Sequence, residues 1–149
     1  MKIRRAAAAD LPALVNLLDV LFSIEEDFAA DAARQEQGLQ LLLDNSRTAV
    51  LVAEQEGQVV GMCTGQLLIS TAEGGLSALV EDVVLLPEWR GQGIGRQLMK
   101  AIADWATEQG ATRVQLLADR NNSSALAFYN RLGYRVTELI CLRRVDGGK

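Results

Sequence analysis

Midway along the 149-residue chain a β-rich run stops at a proline, three glycines follow at alternate positions, and an amphipathic helix begins. The segment reads Leu85-Leu86-Pro87-Glu88-Trp89-Arg90-Gly91-Gln92-Gly93-Ile94-Gly95-Arg96. Pro87 lacks an amide donor and ends the strand. A glycine turn that opens a helix can aim several backbone N–H groups into one concavity, where the helix dipole adds to their pull on an anion. Without a Cβ, the backbone is open to close approach by a phosphate. Arg90 and Arg96 add positive charge at the same place. The dinucleotide fingerprint, G-x-G-x-x-G after the first strand with an acid about 20 residues on, does not fit. Here the spacing is G-x-G-x-G, it lies in mid-chain, and Gln115 stands near the position of that acid. The P-loop signature G-K-[ST] is also missing. On these residues alone, a phosphate-bearing ligand and a plain tight turn both remain open.

The rest of the chain supplies the frame for that turn. Lys2–Ala6 is a short first strand. Asp10 is placed to cap a helix whose first turn tolerates Pro12, with Leu11, Leu14, Val15, Leu18, Leu21 and Phe22 along one face. A second helix is expected over Ala32–Leu43. Two β-rich runs, Ala49–Ala53 and Val59–Ile69, flank the Glu56-Gly57 turn and read as a hairpin. Glu73-Gly74-Gly75 turns into a third run, Leu79–Leu86, so the middle of the chain is an antiparallel meander. After the glycine turn come a helix over Ile94–Gln109 stopped by Gly110, a strand over Arg113–Ala118, a helix from Asn122 or Ser123 to Leu132 closed by Gly133, and a last strand over Tyr134–Arg144. The fold class is α/β (α+β): one domain over 1–149 with a mixed, mostly antiparallel sheet and flanking helices.

Composition removes several functions. There is no histidine in the chain. Ser-His and Cys-His nucleophile pairs, His-ligated zinc and His bases are therefore excluded, and proton transfer falls to carboxylates, tyrosine, cysteine, lysine or water. A net charge of −4 and a pI of about 4.9 disfavour a nucleic-acid partner, which needs a basic face. No apolar run approaches the roughly 18 residues of a membrane span, and Asp10 interrupts any leader-like stretch. Cys63 and Cys141 have no metal or redox spacing and read as reduced core thiols of a cytoplasmic protein.

Two blocks carry a family resemblance. Arg90-Gly91-Gln92-Gly93-Ile94-Gly95 resembles motif A of the GNAT superfamily of N-acetyltransferases, Q/R-x-x-G-x-G/A. Asn122-Ser123-Ser124-Ala125-Leu126-Ala127-Phe128-Tyr129-Asn130-Arg131-Leu132-Gly133-Tyr134 resembles its motif B, at the Asn, Ala, Phe-Tyr and Gly-Tyr positions. The resemblance implies a central parallel pair of strands that splays to admit acetyl-CoA. It implies that the backbone of Val83, Val84 and Leu85 pairs with the pantetheine arm, and that the amides from Gly91 through Gln92, Gly93, Ile94 and Gly95 to Arg96, with Arg90 beside them, hold the pyrophosphate. Asn122 would hydrogen-bond the cofactor and Tyr129 would lie near its sulfur. No metal is implied.

The implied chemistry is direct attack of a neutral amine on the thioester. Backbone N–H groups around Val83–Leu85 would hold the oxyanion. Tyr129, with an ordinary pKa of about 10, would protonate the leaving thiolate. For the base the choice falls on Glu81, which in a regular strand shares a face with Val83 and Leu85, away from Asp82. Some family members carry a glutamate on the next strand where this chain has Leu117, a departure from the ribosomal-protein N-terminal acetyltransferases. Trp89 and Trp105 read as packing residues.

The resemblance implies a primary amine as acceptor, small and cationic or on a protein. Between Ser23 and Glu36, five acids (Glu25, Glu26, Asp27, Asp31, Glu36) face one base, Arg34, so the whole net charge of −4 resides there. An acidic mouth would attract a cationic amine; a solvated acidic helix start is the plainer reading. The competing function is a non-catalytic acetyl-CoA-binding regulatory module of the same fold. A different kind of nucleotide-binding domain is a third reading. A homodimer through the last strand is left open.

Overall fold

The computed structural model of the protein describes residues 1–24 and 30–146. The chain forms two compact units, Met1–Asp119 and Arg120–Lys149.

The first unit is a five-stranded sheet in the order β1 (Lys2–Arg5), β2 (Thr48–Gln55), β3 (Gln58–Ser70), β4 (Gly75–Leu85), β5 (Ala111–Leu116). The first four strands pair antiparallel, and β4 pairs parallel to β5. The hairpin between β2 and β3 turns at Glu56 (φ 52°) and Gly57 (φ 77°). Two positive φ values at the centre of a two-residue loop match the right-handed twist of the strands they join.

Alternation along β3 separates the two faces of the sheet. Met62, with Val50, Val52 and Val84, meets Leu14, Leu17 and Leu18 of α1 (Leu11–Ile24) and Leu39 of α2 (Ala32–Leu43). Cys63 and Gly65 face the other way, toward α3 (Ile94–Glu108). There a Cβ on Gly65 would come within 2.8 Å of Trp105, so the helix reaches the sheet because that residue is glycine. Leu98, Met99, Ile102, Trp105 and Ala106 form the buried stripe of α3. Trp105 is thus a packing residue.

Asp10 acts otherwise than the sequence suggests. A 3₁₀ turn (Ala8–Asp10) precedes α1, and the Asp10 carboxylate accepts from the Ala7 amide at 2.7 Å, closing that turn rather than capping the helix. Both its oxygens also pair with Arg4, at 2.8 and 3.0 Å. The Arg4 guanidinium, helped by the Ala7 amide against the cost of burial, holds the Asp10 carboxyl below the usual carboxylate range. A lowered folded-state pKa stabilises the protein fully above the unfolded value near pH 4, and the contribution fades as pH falls through the lower, folded value. Asp10→Asn is therefore expected to cost about 1–2 kcal/mol at pH 7 and to flatten the acid limb of stability. Urea midpoints between about pH 7 and pH 2 read both; parallel curves for the two proteins would contradict the pairing.

The second unit contains α4 (Ser123–Arg131). Asn122 caps it, its Oδ1 accepting from the Ala125 amide at 3.1 Å. The helix ends at Gly133 (φ 95°), where the Tyr134 amide returns to the Tyr129 carbonyl at 3.0 Å. The strand expected over Tyr134–Arg144 is absent: no ladder forms there among the described residues. Val136, Leu139, Ile140 and Leu142 are exposed at both odd and even positions, so no face of the segment is buried. For the same reason Cys141, expected in the core, is exposed, whereas Cys63 is buried. Burial pushes the Cys63 thiol up to about 12, which leaves it unreactive.

Candidate functional site

The site begins where β4 and β5 part. Their register runs Leu76↔Ala111, Ala78↔Val114, Leu79↔Gln115, Val80↔Leu116 and then stops, while β4 continues to Leu85. From Glu81 to Leu85, β4 has no ladder partner on the β5 side among the described residues. That open edge includes Val83, Val84 and Leu85.

The chain then passes through a 3₁₀ turn (Pro87–Trp89) into the glycine turn. Arg90 ties the turn to the strand end, its Nη2 donating to the Leu85 carbonyl at 3.3 Å. Gly91 (φ 76°) and Gly93 (φ 84°) take the left-handed conformation, and nothing lies within 4 Å of where a Cβ would stand on either. Gly93 is the residue before α3, and the Gln97 amide closes the first helical bond onto it at 3.2 Å. Among the described residues none accepts a hydrogen bond from the amides of Gly91, Gln92, Gly93, Ile94, Gly95 or Arg96. Unpaired donors at a helix N-terminus need water or an anion. Arg90 and Arg96 are both exposed there.

β4 carries an irregularity that no local sequence signal marks. Between the pairs Thr64↔Glu81 and Met62↔Val84, β4 has two intervening residues, Asp82 and Val83, against one on β3, Cys63. This is a β-bulge, and Asp82 takes φ 55° within it. The bulge resets the alternation. Glu81 now shares a face with Thr64 and Val84, while Leu85 pairs with Gly61, which faces Leu98 of α3. The expectation that Glu81 shares a face with Val83 and Leu85 depended on a regular strand and does not hold. Instead Asp82 joins Glu81 on the α1 side. The Thr64 hydroxyl lies 3.2 Å from Asp82 Oδ2 and 3.1 Å from the Glu81 carbonyl. Gln66 Nε2 reaches Glu81 Oε1 at 3.4 Å. Burial, reinforced by the charge of Glu81 and opposed by the Thr64 hydroxyl, raises the Asp82 carboxyl to about 6. Glu81 itself is exposed.

In the second unit, Tyr129 is half-buried, edge-on to Phe128 at a ring distance of 5.2 Å and to Tyr134 at 6.2 Å. With Oδ1 of Asn122 committed to the helix cap, any hydrogen bond from that side chain to a ligand would come from Nδ2. Leu117 is exposed.

Of the acidic cluster, Glu25, Glu26 and Asp27 lie outside the described residues. Asp31 caps α2 by accepting from the Arg34 amide at 3.2 Å and approaches the Arg34 guanidinium at 3.7 Å, so that acid has a structural role of its own.

β4 thus runs on past the end of its pairing with β5 and leads into an open row of amides. The Acetyltransferase (GNAT) family model matches residues 11–134, and the chain belongs to that family. An uncharacterized N-acetyltransferase of Archaeoglobus fulgidus is 31% identical over 131 residues, 87% of this chain and 89% of that protein. An uncharacterized N-acetyltransferase of Bacillus subtilis, YhfO, is 27% identical over 134 residues, 90% of this chain and 89% of that one. Among solved structures, an aminoglycoside acetyltransferase from an uncultured soil metagenomic sample, crystallised with sisomicin, superposes with a TM-score of 0.76 at 28% identity, covering 97% of this chain and 94% of that one. Among the described residues no helix is long and apolar enough to cross a membrane.

Proposed function

We propose that the protein transfers the acetyl group of acetyl-CoA to a primary amine by direct attack, and that both units serve one acetyltransferase domain, since the family match runs through the two. The observation that carries this reading is the row of unpartnered amides from Gly91 to Arg96, directly after the open edge of β4. Six N–H donors, a helix dipole and two arginines suit a pyrophosphate. The free edge over Val83, Val84 and Leu85 suits an extended amide-bearing arm, which would add to the sheet as a strand does.

The chain's own groups would then divide the work. Backbone donors at the open edge of β4 stabilise the carbonyl oxygen as charge develops on it. Tyr129, by its place in motif B, supplies a proton to the departing thiolate. Glu81, exposed on the α1 face, takes the proton from the amine, directly or through water. The aminoglycoside acetyltransferase similarity supports a polycationic small molecule among the acceptors to test. Leu117, in place of a glutamate, argues against a ribosomal-protein N-terminus.

The test has two arms. Calorimetry should show acetyl-CoA uptake, and thiol release should follow when butylamine, putrescine, spermidine or an aminoglycoside is added. Uptake without release from any of them would favour the regulatory, non-catalytic alternative. No uptake by folded protein would remove the transferase reading.

A further inference from the structure

The sheet face beside Glu81 is charged at one end and apolar along much of the rest. We propose that the acceptor is a monoamine on an apolar stem, alkyl or arylalkyl, and that Leu79 and Leu68 form the shelf on which the stem lies. The proposal rests on the acetyltransferase reading above and names the substrate class for that same site.

Register places the shelf. Between the bulge and the turn that joins them, β3 and β4 pair regularly as Thr64↔Glu81, Gln66↔Leu79 and Leu68↔Ser77. Paired residues, and every second residue along a strand, share a face. Glu81, Leu79, Gln66 and Leu68 therefore all lie on the α1 side. Parallel pairing adds Gln115 of β5, the partner of Leu79. The buried leucines of α1 pack on Met62 and Val84, and toward the β3–β4 turn the face opens to solvent. Leu68 is 43% exposed. Glu81 and Gln115 are exposed, and Leu79 and Gln66 are half-buried. Along β4 the step from Glu81 to Leu79 is about 7 Å, and the step to the level of Leu68 is about 14 Å.

An amine held at Glu81 has its next carbons over leucine. The three strands beneath, β3, β4 and β5, contain no acid besides Glu81 and Asp82. Asp82 follows Glu81 in the bulge, away from the shelf, and is engaged with the Thr64 hydroxyl at 3.2 Å. Glu73, in the turn between β3 and β4, is held by the Thr112 hydroxyl at 2.7 Å and by Arg113 at 3.5 Å. Leu79 stands between Gln66 and Gln115, with no charge on either side. Leu117, one residue past the last β4–β5 pair, Val80↔Leu116, adds an exposed apolar side chain rather than a second acid.

Two opposed effects select the stem. A methylene laid on Leu79 or Leu68 is removed from water at a gain. A second ammonium in the same place would exchange water for leucine with no carboxylate on these strands to pair with it, and that costs free energy. Discrimination between two amines is the difference of these effects, so an unpaired charge on the wrong molecule counts as much as a contact with the right one. The complement of a face charged at one end is a molecule built the same way.

The experiment compares octylamine with octamethylenediamine, equal in carbon count and different at the far end, by thiol release at saturating acetyl-CoA. Octylamine should have the higher kcat/KM by about tenfold or more, after the diamine value is halved for its two equivalent amines. From propylamine to octylamine, kcat/KM should rise about twofold per methylene, roughly half the effect of full burial. Leu68→Glu and Gln115→Glu, both at exposed positions, add an acid to the shelf. Each should lower the ratio of octylamine to diamine by about threefold or more. Both amines are measured on one preparation, so a loss of folded protein does not move the ratio. A wild-type ratio under about threefold, or a ratio that neither variant lowers, overturns the shelf while the transferase reading stands. Acetyl-CoA uptake with no thiol released by any amine of either panel overturns the shelf and catalysis together.

Discussion

Gly93→Trp is expected to abolish measurable acetyl-CoA binding. The glycine sits at φ 84° as the last residue before α3, and its missing Cβ would point into open space. An indole there would fill the concavity that the amides of Gly91–Arg96 surround. Calorimetry should register at least about a hundredfold weaker affinity, some 2.7 kcal/mol. A tryptophan at positive φ is also strained by about 1–2 kcal/mol, so affinity must be separated from folding. Gly74→Trp supplies the control. Gly74 has φ 70° and equally open surroundings, but it lies in the turn between β3 and β4. Both variants should lose similar stability in urea, and only Gly93→Trp should lose the ligand. Full affinity in Gly93→Trp would mean that the glycine turn is only a turn.

Tyr129→Phe should lower turnover about a hundredfold while acetyl-CoA affinity stays within twofold. The substitution preserves the ring that meets Phe128 and Tyr134 edge-on, so α4 and its closure should hold. What disappears is a hydroxyl able to protonate a thiolate. An interaction made only in the transition state lowers kcat and kcat/KM together, whereas a packing residue would show itself as a lowered urea midpoint. Wild-type turnover in Tyr129→Phe would remove the acid role.

How much of this could be read beforehand depended on the range of the interactions involved. The α2 helix was legible at both ends, and so was the Glu56-Gly57 hairpin, because period and turn chemistry are local. The glycine turn was legible for the same reason: its spacing and its position between strand and helix are both written in a dozen residues. The bulge was not. It exists only as a mismatch in count between Met62–Thr64 and Glu81–Val84, segments joined across a hairpin, and no local signal marks Asp82. Asp10 was misplaced because its true partner, Arg4, lies on a strand rather than in the helix. The run after Tyr134 has the composition of a strand without a ladder, since pairing is a property of two segments and not of one.

On the function proposed above, the strand from Glu81 to Leu85 would offer its open edge to the thioester and the Glu81 side chain to the amine. Donor and acceptor sites built on five consecutive residues would share a mechanical element, and whatever factor the acceptor applies to donor affinity the donor applies to acceptor affinity. Where that factor differs from one, selection for a new amine would drag thioester affinity along with it, and paired dissociation constants measured with and without the second substrate would read the tether.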